Sequence, residues 1–97
     1  MSYYLFISND NILWLMRGID KNSIYFDEFA IFTEKLRGKI RQLRKEKKLT
    51  QEEMENFELS LRQFQRIESG DTINVTLSNL YKISKALNIS LSQLLDL

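Results

Sequence analysis

The chain has 97 residues, 28% of them charged and 43% hydrophobic, with a formal net charge of +1 and neither cysteine nor histidine. That length suits one domain with at most a small appendage. The missing residue types exclude disulfides, thiolate nucleophiles, imidazole bases and the commonest zinc ligands, and no cofactor is expected. The near-neutral sum hides an asymmetry. Residues 1–35 carry three basic and five acidic side chains, whereas residues 36–97 carry eleven and eight. Seven of those eleven bases fall within 36–48, LRGKIRQLRKEKK, against Glu46 alone. Such clustering suits either a solvated helix face or a polyanionic partner. No stretch has the ~20 apolar residues needed to span a bilayer, no secretory leader is expected, and a cytoplasmic protein without a membrane partner is the natural reading.

The first third consists of apolar clusters, YYLFI, ILWLM and IYFDEFAIF, separated by SNDN and DKNS. Short apolar runs bounded by Asn and Asp suggest strands, with a hairpin over about 3–17 and a third strand near 24–30. A helix is the alternative for the last run. Phe29, Phe32, Leu36, Ile40 and Leu43 are spaced by 3, 4, 4 and 3, which fits one long helix from Asp27 onward. The sequence leaves both open.

From residue 36 the signals are helical. Leu36, Ile40 and Leu43 form one stripe. Thr50 with Glu53, Ser60 with Gln63, and Ser90 with Gln93 have capping-box spacing, in which the hydroxyl accepts a helix-start N–H and the longer side chain reaches back. Gly70 suits a left-handed helix end, and Asn88 can close a helix whose inner face is Leu77, Leu80, Ile83 and Leu87. The predicted helices are 36–47, 51–57, 61–69, 76–87 and 91–96. The fold class is therefore mainly α, with 1–33 as an extension and 34–97 as the functional domain.

The segment 50–70, TQEEMENFELSLRQFQRIESG, carries the functional signal. Met54 and Phe57 face inward from one short helix, Phe64 and Ile67 from the next, and Leu59 fills the corner, so the pair packs at a steep angle. The outer side of 61–69 then presents Arg62, Gln63, Gln65, Arg66 and Ser69. Arg can pair bidentately with guanine and Gln with adenine in a major groove.

The order IRQLRKEKKLTQEEM, LSLRQFQRIESG, TLSNLYKISKALNISLSQLL resembles the Cro and phage-repressor helix-turn-helix domain, also called lambda-repressor-like. The resemblance covers about Leu36 to Leu97 and implies a five-helix fold that binds double-stranded DNA, usually as a homodimer, and regulates transcription, here as a repressor. It implies base contacts from Leu61, Arg62, Gln65 and Arg66. It implies phosphate contacts from Gln51, Ser60, Asn74 and Thr76, and an internal ion pair between Arg44 and Glu68. Leu61, three residues before Phe64, also suits the core.

The chain departs from the family at one place. The usual corner between the second and third helices is one residue longer and holds a glycine, where Glu58 stands here. Glu55 replaces a small residue. An antitoxin or protein-interaction module on the same fold, with weak or no DNA binding, is the second reading. The aromatic first 35 residues suit a dimer interface or another protein partner, or else packing on their own chain. Without a phosphate loop, paired carboxylates, His or Cys, an enzyme is not expected. The expected source is bacterial or phage, with the protein on the nucleoid when bound.

Overall fold

The computed structural model describes residues 18–72 and 74–97. The hairpin expected over 3–17 lies outside them. Among the described residues the elements are α1 (Phe26–Glu46), a 3₁₀ helix (Glu52–Phe57), α2 (Leu61–Ser69), α3 (Leu77–Ala86) and α4 (Leu91–Leu94). The fold is mainly helical, as its sequence implies.

The strand considered near 24–30 is replaced by the start of α1, which runs unbroken past residues 33 and 34. The 4, 3, 4 spacing of Tyr25, Phe29, Phe32 and Leu36 continues the helical stripe, and helical hydrogen bonding satisfies the backbone without a neighbouring strand. Asp27 and Glu28 in the first turn and Arg44 and Lys45 in the last complement the helix dipole. Before the helix, Asp20 and Ser23 close a turn. The Asp20 carboxylate accepts from the Asn22 N–H at 2.8 Å, and the Ser23 hydroxyl from the Tyr25 N–H at 3.1 Å.

Three helices end in one way. Lys48, Gly70 and Asn88 are left-handed, with φ of 57°, 86° and 55°. The residue after each, Leu49, Asp71 and Ile89, donates its N–H back to Arg44, Arg66 and Ser84 at 3.0, 3.1 and 3.1 Å. This satisfies carbonyls that the helix itself leaves unpaired. Gly70 is also a close approach, since a Cβ there would lie 3.0 Å from Arg37 Nε.

Leu36, Ile40, Met54, Leu59, Phe64, Ile67, Ile83, Ala86, Leu87 and Leu94 form the core. Leu43, Phe57 and Leu80 pack against it half-buried. α1 packs on α2 and α4, and α3 on the 3₁₀ helix and α4. Leu77, expected on the inner face of its helix, is instead exposed. It occupies the first position of α3, before the stripe of Leu80, Ile83 and Leu87 reaches the core. Thr76 caps that helix by accepting from the Asn79 N–H at 3.1 Å.

The helix expected over 51–57 is a 3₁₀ turn. Its entrance has the full reciprocal box: Glu53 N–H to the Thr50 hydroxyl at 3.1 Å, and Thr50 N–H to the Glu53 carboxylate at 2.9 Å. Its exit is Glu58, left-handed at φ 64°, ψ 29°. Lys82 Nζ donates to the Glu58 carbonyl at 3.3 Å. A non-glycine residue in this conformation costs about 1–2 kcal/mol, against about 0.5–1 kcal/mol of extra chain entropy lost by glycine on folding. Glu58→Gly is therefore expected to raise stability by up to about 1 kcal/mol. A higher midpoint in urea at unchanged slope is the expected readout.

Candidate nucleic-acid interface

α2 is positioned by chemistry at both of its ends. At its start the Ser60 hydroxyl accepts from the Gln63 N–H at 3.1 Å, which is the hydroxyl half of the expected box. Phe64, Ile67 and Glu68 form its buried side. Arg62, Gln63, Gln65, Arg66 and Ser69 are exposed, and Leu61 is half-buried. Arg62, Gln65, Arg66 and Ser69 share one shallow depression, which Asp71 also lines. Arg66 also lines the next depression with Gln63, Thr72, Asn74 and Thr76. It thus stands where the helix face meets the 71–76 loop.

Behind this face lies a buried ionic centre. Glu68 is only 2% exposed. Arg44 grips it with two bonds, Nε to Oε2 at 2.8 Å and Nη2 to Oε1 at 2.7 Å. Arg44 Nη1 donates to the Leu49 carbonyl at 2.8 Å, fixing the fork against the end of α1. The residues expected to pair are thus brought together.

Arg41, which the sequence reading did not single out, joins them. Its Nη2 donates to the Glu68 carbonyl at 3.0 Å, and its Nε stands 3.6 Å from Glu68 Oε1. Its signal was its place three residues before Arg44 on one helix face.

Gln51 links this centre to the outer face. Its Nε2 donates to Glu68 Oε1 at 3.0 Å, and its Oε1 accepts from Gln65 Nε2 at 3.3 Å. Gln65 is thereby held by a relay beginning on Glu68. The other proposed phosphate ligands also have local partners. Thr76 caps α3, and its hydroxyl lies 3.1 Å from that of Ser78. The Asn74 carboxamide is turned toward the chain before α1. Its Oδ1 accepts from the Ile19 N–H and its Nδ2 donates to the Ile19 carbonyl, both at 2.9 Å. Gly18 beside it has φ 91°, and a Cβ there would fall 2.3 Å from Asn74 Oδ1, so glycine is required.

Among the described residues no group of acids could hold a metal ion, and no helix is long and apolar enough to cross a membrane. What the face offers is directional donors and two guanidinium charges.

Comparison with family models finds a match described as helix-turn-helix over residues 40–94, more than half of the chain. Comparisons with curated proteins and with solved structures found no match.

The ionic centre has two measurable consequences. Burial alone would push the Glu68 carboxyl up. The hydrogen bonds from Arg44 and Gln51, and the charges of Arg44 and Arg41, outweigh it and hold the group below its ordinary value. The hydrogen bond with Glu68, helped by its charge, raises Arg44. A carboxyl whose folded pKa lies below its unfolded value of about 4.3 contributes stability that is present above that value and is lost as pH falls through the folded pKa. Acid unfolding is expected to steepen below about pH 4, and Glu68→Gln to flatten that limb. At neutral pH, Glu68→Ala is expected to cost about 3–5 kcal/mol, because it strands the buried Arg44 charge. Replacing both Arg44 and Glu68 by Met is expected to recover much of that loss, measured by urea unfolding.

Proposed function

Since the chain belongs to the helix-turn-helix family of the Cro and phage-repressor type, a family of DNA-binding transcription regulators, we propose that it binds double-stranded DNA in a sequence-specific way through α2 and acts as a repressor. The supporting observation is the outer side of α2, where Arg62, Gln65 and Arg66 stand exposed on a helix anchored from behind by Glu68. An α-helix fits the major groove, and these side chain types pair there with guanine and adenine edges. Leu61, half-buried at the tip, supplies an apolar contact for a thymine methyl. Asn74 and Thr76 line the second depression, Gln51 and Ser60 stand at the starts of the 3₁₀ helix and α2, and all four are assigned to phosphate. Residues 34–97 make up the DNA-binding part and residues 1–33 serve association.

One such domain covers a half-site of few base pairs, so the working form is a homodimer on two half-sites about one DNA turn apart. Repression needs only that the bound dimer occupy a promoter. The family is regulatory and generally non-enzymatic, which supports a reading without catalysis. The protein acts in the cytoplasm, on the nucleoid when bound.

A second reading has one observation in its favour. Glu52, Glu53, Glu55 and Glu58 are all exposed on the element that precedes α2. Acids there repel a phosphate backbone and suit a basic protein surface, as in an antitoxin that holds a protein partner with its N-terminal part.

Selection of bound duplexes from a random pool, followed by affinity measurement, tests the first reading. Arg62→Ala and Arg66→Ala are each expected to weaken the selected site by about 1–3 kcal/mol and to relax preference at one position. Gln51→Ala is expected to weaken all sequences more evenly. Unchanged affinity in both arginine variants would show that α2 is not the reading element. Failure to enrich any duplex would favour the protein-interaction reading.

A further inference from the structure

The first three turns of α1 project an apolar face that no described residue covers. Ile31 is 58% exposed and Phe32 41%, and Ile24, in the turn before the helix, is 88% exposed. Phe29 stacks on Phe32 with ring centroids 6.5 Å apart, which fixes the Phe32 ring on this face. At 3.6 residues per turn, Glu28, Ile31 and Lys35 form one line along the helix with Phe32 beside it, and Ile24 and Tyr25 stand in the turn just before its first residue. Such a face in water is a surface awaiting a partner.

The charges on the line say which partner. Glu28 and Lys35 are both exposed and stand two turns apart, one on each side of Ile31–Phe32. A two-fold axis between residues 31 and 32 makes the line self-complementary. Ile31 of one copy meets Phe32 of the other, and Glu28 of each meets Lys35 of the other. A two-fold contact uses the same patch twice, so a patch carrying both signs symmetrically about an apolar centre fits a copy of itself. Parallel pairing would instead set like charges against each other.

The face also lies away from the DNA-reading element. Arg37, Arg41 and Arg44 approach α2 from another side of α1. Pairing therefore leaves Arg62 and Arg66 uncovered.

We infer that two copies of this chain associate through antiparallel pairing of their α1 amino-terminal turns, with Ile31 and Phe32 at the centre and Glu28–Lys35 pairs at the flanks. This rests on the reading of the protein as a pair and names the surface that makes it one.

Charge exchange in the full chain tests it. Glu28→Lys and Lys35→Glu are each expected to weaken self-association in sedimentation by about tenfold, since each change turns two attractions into two repulsions. The double variant Glu28→Lys/Lys35→Glu is expected to restore it. The natural chain has no cysteine, so single-cysteine variants report cleanly. Ile31→Cys is expected to be joined to a second chain by a short bis-maleimide, and Tyr81→Cys, exposed on α3, is not.

Three outcomes overturn the inference: dimers indifferent to both single charge changes, a double variant as weak as the singles, or no linked dimer from Ile31→Cys. The first and last are also what residues 1–17 folding over this face, or a different protein occupying it, would produce. DNA binding is read separately on a duplex with one half-site. Loss of binding there in the unaltered chain removes the functional reading, while the cross-link still decides the pairing surface.

Discussion

The orientation of α2 depends on one carboxylate. Glu68 draws on three elements at once: Arg41 and Arg44 from α1, Gln51 from the entrance of the 3₁₀ helix, and α2 through its own backbone. A buried ion pair gives little net stability compared with apolar residues of the same size, because both charges lose their water. Its consequence here is geometric. A planar guanidinium that meets a carboxylate with two parallel bonds holds it in its own plane, and hydrophobic contacts between α1 and α2 tolerate small rotations more readily than this fork does. The rotation of α2 about its axis decides whether Gln65 and Arg66 point outward together.

The second constraint is the shortened corner. A 3₁₀ helix rises about 2.0 Å per residue against 1.5 Å for an α-helix, so its six residues span about as far as eight α-helical ones. The tighter coil thus carries the chain from Thr50 to the start of α2 in few residues. The left-handed turn that glycine usually provides is taken by Glu58 at the cost of strain, and the Lys82 contact to its carbonyl holds the turn. Leu59 then drops into the core at 1% exposure, and Ser60 begins α2 with its cap intact.

Much of this is legible in the residues. Hydroxyl caps at Thr50, Ser60 and Ser90 act through neighbours three positions away, so local text reveals them. Gly70 and Asn88 end helices for the same local reason. The meeting of Arg44 with Glu68 is different: it came from resemblance to a family, since nothing local joins residues 24 positions apart. The start of α1 was ambiguous because the run from Ile24 to Phe32 is rich in residues that favour strands while its spacing favours a helix, and tertiary contacts decide such cases. The 3₁₀ turn was hidden because a capping box starts either kind of helix. Leu77 has correct spacing but lies beyond the edge of the core, which periodicity does not mark. The bond between Asn74 and Ile19 spans 55 residues and leaves no pattern in either segment.

That the proposed phosphate ligands are already engaged does not weaken the reading of the face, and counting hydrogens shows why. A carboxamide nitrogen carries two hydrogens, and a hydroxyl both donates and accepts. Gln51 Nε2 donates one bond to Glu68, and Asn74 Nδ2 donates one to Ile19. Each nitrogen keeps a second hydrogen for a phosphate oxygen. Ser60 acts as acceptor in its cap, which leaves its O–H to donate outward. The scaffold bonds remove rotamer freedom before a duplex arrives, so less entropy remains to be lost when the outward bonds form. Arg62 and Arg66 have no such support from α1, and their longer side chains must be ordered by the nucleic acid itself. On the proposed reading, Gln51, Asn74, Ser60 and Thr76 set where a duplex lies, and Gln65, Arg62 and Arg66 read its bases.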